Sequence, residues 1–121
     1  MRLVTLVSIG FVLLAVPASA HDAKPLNGGR IVQAGNFHIE LVAKDDTISV
    51  YLIDHHNKPM SPAGYKGVAI LSIDGKSQRI VLEGDDGSRL AGKAAAALPA
   101  QPKGVVQITL PAGNTVQAKF N

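Results

Sequence analysis

From Phe37 to Val42, and again from Ile48 to Ile53, apolar residues return at every second position. That period belongs to an extended strand with one face buried. In the first run Phe37, Ile39 and Leu41 point one way and His38, Glu40 and Val42 the other. In the second, Ile48, Val50 and Leu52 oppose Ser49, Tyr51 and Ile53. Between them Lys44-Asp45-Asp46-Thr47 carries two turn-favouring aspartates. With Asp45-Asp46 as the loop, Ile39 faces Leu52, Leu41 faces Val50 and His38 faces Ile53. His55 then falls one diagonal step from His38, roughly 7–8 Å away at the backbone. A loop one residue longer or shorter slips the register and puts His56 in that place. Either way, one of the two adjacent histidines shares a face with His38.

The rest of the chain has the same grain. Arg30–Gln33 is a short strand after the lead-in Lys24–Gly29, read as a mobile arm. Val68–Ile73 and Gln78–Glu83 flank Asp74-Gly75, the strongest hairpin signal in the chain. Pro59 and Pro62 mark the preceding segment as loop. Ser88–Ala91 reads as a short strand stopped by Gly92. Lys93–Leu98 reads as a turn of helix or a surface crossover, ended by Pro99. Val105–Leu110 and Thr115–Phe120 are the last strands. About seven or eight short strands at such spacing predict a small antiparallel β-sandwich, Ig-like, or a barrel.

Residues 1–20 read as a secretory signal peptide: Arg2, an apolar core to Val16, and Ala18-Ser19-Ala20 as the cleavage pattern. The apolar run is short of the roughly 20 residues a membrane span needs, so no stable insertion is expected after cleavage. The expected layout is a signal peptide (1–20), a flexible arm (21–29) and one β-sandwich domain (30–121). Without Arg2, eleven basic residues stand against nine acidic ones, scattered singly, which makes no nucleic-acid footprint. The absence of cysteine excludes thiolate ligands and thiol redox chemistry. No nucleophile elbow, phosphate loop or glycosidase-like carboxylate pair appears, so no enzymatic activity is expected.

What remains is a set of histidines. His21 becomes the N-terminus on cleavage after Ala20 and offers an α-amine and an imidazole to one ion, a setting that suits copper(II). His38 lies on the polar face of one strand, with Glu40 beside it. His55 and His56 lie just beyond its partner strand. The segment Asp22–Gly35 is long enough to fold His21 back to them. Met60 is a candidate soft ligand, although a lone methionine in a proline-rich loop is more often packing.

Gly28-Gly29-Arg30-Ile31-Val32-Gln33-Ala34-Gly35, followed by Phe37-His38-Ile39-Glu40-Leu41-Val42, resembles the GG-x-x-x-x-x-G-x-x-H-x-E-L-V pattern of small exported proteins encoded beside heavy-metal efflux systems. A related pattern opens some periplasmic adaptors of those systems. Tyr51-Leu52-Ile53-Asp54-His55, then Lys58-Pro59, and the closing Thr115–Phe120 resemble the same proteins. The chain departs from the pattern at Asn27, where His is frequent before Gly-Gly. The resemblance implies a periplasmic location and metal association. The expectation is therefore a periplasmic protein that binds a divalent transition metal. Copper comes first, with zinc, nickel or cobalt as alternatives. It would act as buffer, chaperone or accessory of an efflux system, with a periplasmic adaptor as candidate partner. His38 and His55 are the expected core ligands, His21 the third, His56 the substitute and Glu40 the nearby carboxylate. The competing expectation is a sandwich that docks on such an adaptor without metal.

Overall fold

Each alternating run becomes a strand, and each Gly- or Asp-rich break becomes a turn or crossover. The computed structural model describes residues 23–121; the signal-peptide reading, His21 and Asp22 lie outside them. The strands are β1 (Arg30–Ala34), β2 (Phe37–Lys44), β3 (Thr47–Ile53), β4 (Lys66–Ile73), β5 (Lys76–Asp85), β6 (Arg89–Lys93), β7 (Lys103–Thr109) and β8 (Thr115–Phe120). All pair antiparallel, in the order β1-β2-β3-β6-β5-β4-β7-β8. Two crossovers, over 54–65 and 94–102, give the sheet two overlapping Greek keys. The sheet curls until β1 lies alongside β8, a nearly closed barrel that leaves little bare strand edge.

Arg30 bridges the seam. Its guanidinium donates to the Pro102 carbonyl at 3.0 Å and to the Asn121 carbonyl, and lies 5.6 Å from the centre of the Phe120 ring. One side chain of β1 thus holds the end of β8 by hydrogen bonds and a cation–π contact.

The central hairpin has the two-residue loop: Lys44 opposes Thr47, Leu41 opposes Val50, Ile39 opposes Leu52 and His38 opposes Ile53. The inward set Ile39, Leu41, Ile48, Val50 and Leu52 is buried, and meets Leu71, Leu82, Leu90, Ile108 and Phe120 from the other strands. Asp74 and Gly75 both take positive φ, 51° and 77°, as a two-residue hairpin of matching twist requires.

One local reading changes, and another is decided between its two alternatives. Gly92 does not stop β6; it lies inside it, because a Cβ there would run into the Val81 carbonyl and Ile80 Cγ2 of β5. The segment after Lys93 forms no helix. It is a crossover whose Ala94 and Leu98 N–H groups donate to the Asp46 and Asp45 carbonyls, both at 2.7 Å. Those bonds tie it to the β2–β3 turn, which an isolated short helix could not offset.

Candidate metal site

The outward face of β2 holds His38 and Glu40, and their surroundings differ. Glu40 is fully buried. Its Oε1 accepts the Leu26 N–H at 2.9 Å and Asn27 Nδ2 at 3.1 Å; its Oε2 accepts the Asn27 N–H at 2.9 Å and the Gly29 N–H at 2.7 Å. The burial comes from the lead-in, which folds over the outside of β2 and wraps the carboxylate with four donors. The expected flexible arm is therefore docked from Leu26 onward. Glu40 is its clamp: an ion bound there would have to displace those donors, leaving them unpaired. Asn27, the departure from the efflux-type pattern, contributes both backbone and side chain to this clamp.

His38 is half-buried between Gln33 of β1 and Ile53 of β3. Its Nδ1 is buried with no hydrogen-bond partner among the described residues. A metal-bound imidazole ordinarily donates its other N–H to an acceptor. Coordination through Nε2 would put a proton on Nδ1, which has none. Coordination through Nδ1 would require exposing a buried atom. Either route works against His38 as a ligand in this arrangement.

His55 and His56 are exposed at the tip of a tight turn. β3 ends at Ile53, so neither continues the strand, and the diagonal placement of His55 against His38 does not arise. The cause is Asp54. Its N–H donates to the Lys58 carbonyl at 2.8 Å, and its Oδ1 accepts the His56 and Lys58 N–H groups, both at 2.9 Å. Such side-chain bonds to the local backbone compete with a ladder. Asn57 takes φ 62° to complete the reversal, and Pro59 then bridges back to Ile53. The two imidazoles lie with ring centres 4.0 Å apart and tilted by 42°. The Lys58 N–H first, opposed in part by desolvation, then the His56 N–H and the charges of both imidazoles, hold Asp54 below its ordinary 3.8.

Met60 packs half-buried against the core, and its N–H donates to the Leu52 carbonyl at 2.8 Å, the arrangement of a packing residue. Among the described residues no group of three or more His, Asp or Glu side chains converges. The structure thus brings together His55 and His56, with Asp54 in the same turn, and does not bring Glu40 into their company. Sequence reasoning missed the organising role of Asp54; an Asp four residues before a Lys-Pro is its only local signal.

No family pattern, curated protein or solved structure matches the chain.

Proposed function

We propose that this chain is an exported, periplasmic transition-metal-binding protein. Copper(II) is its preferred ion, with zinc, nickel or cobalt as alternatives. In this reading it serves an efflux system as buffer, chaperone or accessory, and a periplasmic adaptor is its partner. The observation that carries the reading is the His55–His56 pair, 4.0 Å apart on an exposed turn. Exposed rings can rotate toward one ion without disturbing the core, and neutral imidazoles suit these metals. Asp54, kept ionised, adds negative charge beside them.

Two imidazoles leave a divalent ion short of donors. His21 supplies an imidazole and an α-amine when Ala20 is the last residue removed. Leu26 is fixed at Glu40, so His21 begins five residues away, at most about 17 Å of extended chain. Glu40 and His38 are about 7 Å apart on one strand face, so the end of the barrel that carries His38 falls within that span. His38 joins the ion only where its Nδ1–H gains an acceptor. The link to efflux rests on the resemblance of the Gly28–Val42 stretch.

Electron paramagnetic resonance of the Cu(II)-loaded exported protein tests this. Nitrogen ligation should fall in the His55→Ala/His56→Ala double variant, and should fall separately when one residue is added ahead of His21. A spectrum unchanged by both variants would remove this site. Docking without metal draws support from a different surface, the cleft between β4 and β5.

A further inference from the structure

The β4–β5 ladder stops at Gly67 opposite Leu82, but β5 runs on to Asp85. Its last three residues pair with β6 alone. Lys66, at the start of β4, pairs with Thr109 of β7 and not with β5. The two strands separate there and leave a cleft of about 670 Å³, lined by Tyr65, Lys66, Val68, Arg79, Val81 and Glu83 among others. Val68 and Val81 are directly opposed. Val81, 51% exposed, is the most exposed large hydrophobic side chain among the described residues.

Three features of this cleft point to one kind of occupant. A strand paired on one side only is a template for an added strand. The valine pair offers an apolar seat for one side chain of that strand. Along the outer face of β5, Arg79, Val81 and Glu83 stand in line, with Lys66 lining the same cleft. The only ion pair among the described residues is Arg89–Asp85, so the Arg79 and Lys66 charges are not used internally. Two cations against one carboxylate favour an acidic partner, and the position of Glu83 confines its carboxylate to the Arg79 end.

We propose that this cleft binds an extended acidic segment of a partner protein. The segment adds its backbone to the Glu83–Asp85 edge, seats an apolar side chain on Val68 and Val81, and directs a carboxylate to Arg79. The proposal is independent of the metal reading, because none of the described histidines lines the cleft.

Nuclear magnetic resonance titration of the exported protein tests it. The probe is a blocked seven-residue peptide of alternating valine and glutamate; the control has lysine for glutamate. The expected result is saturation below about 1 mM, with amide shifts confined to Lys66–Val68 and Val81–Asp85. Val81→Glu and Arg79→Glu should each weaken binding by about tenfold or more, the scale of a lost interface anchor. Both positions face solvent; if Val81→Glu failed to fold, Arg79→Glu would carry the test. His55→Ala/His56→Ala should change nothing. Equal binding of the lysine peptide, shifts elsewhere, or no saturation would overturn the proposal. So would dimerisation in sedimentation that Val81→Glu abolishes, which would assign the face to a second copy of this chain.

Discussion

Glu40 and His38 share a strand face, and their different environments show how far one residue can be read from its neighbours in sequence. Alternation places both outside the barrel. It says nothing of a lead-in 11 to 14 residues upstream returning to cover one of them, because that contact has no period. Glu40→Ala should leave four N–H groups without their acceptor and lower stability by about 3 kcal/mol, the scale of lost hydrogen bonds to a buried charge. In hydrogen exchange the Leu26, Asn27 and Gly29 amides should lose protection before any amide of β2 does. Protection unchanged at those three would show that the clamp does not hold the lead-in. Asp54 makes the opposite point on a surface residue. Its carboxyl is held below 3.8 by backbone donors, so the folded turn keeps it ionised. The stabilisation is present above the unfolded value and is lost as pH falls through the lower folded one. The Lys58 amide should therefore exchange at a steady intrinsic-corrected rate from pH 7 to about 5, and lose protection only below the ordinary carboxylate range.

At the scale of the element, the faces of the β2–β3 hairpin were legible, and the structure adopts the two-residue-loop register of those the sequence left open. Long alternation fixes the faces, and a two-residue Asp-Asp loop fixes the register. The end of β3 was not legible as a turn, because the sequence shows a polar Asp54 after Ile53 but not that its side chain's bonds to the His56 and Lys58 N–H groups end the ladder. That single turn decides which histidines meet. Gly92 was misread for a related reason: sequence shows a missing side chain, not the β5 carbonyl that occupies its space. Leu41→Ala and Leu52→Ala should each lower stability by about 2–5 kcal/mol as buried leucines do. His38→Ala should lower it by less than about 1 kcal/mol, since its Nδ1 makes no hydrogen bond and the ring is only half-buried. Urea unfolding of the metal-free variants measures all three. Loss at His38 equal to that at Leu41 would make the imidazole a core group.

For the whole molecule, the all-β class followed from strand spacing, but the order of strands did not. The joins between β3 and β6, and between β4 and β7, unite residues 40 or so positions apart, and their partners are chosen by tertiary packing. The seam closed by Arg30 spans 91 positions, from β1 to the last residue. The same distance problem governs the proposed metal site, in which one donor group would lie in the first residues after the expected cleavage point and the others on a turn more than thirty residues later. Calorimetric titration of the chain beginning at His21 with Cu(II) at pH 7 and pH 5 tests this arrangement most directly. Neutral imidazoles near a pKa of about 6.5 bind metal, and protonated ones do not. Saturable binding at pH 7, weakened strongly at pH 5 and reduced by His55→Ala/His56→Ala, with a raised unfolding temperature for the loaded protein, is the predicted result. Binding at pH 7 no tighter than that of a variant lacking all four histidines would contradict it.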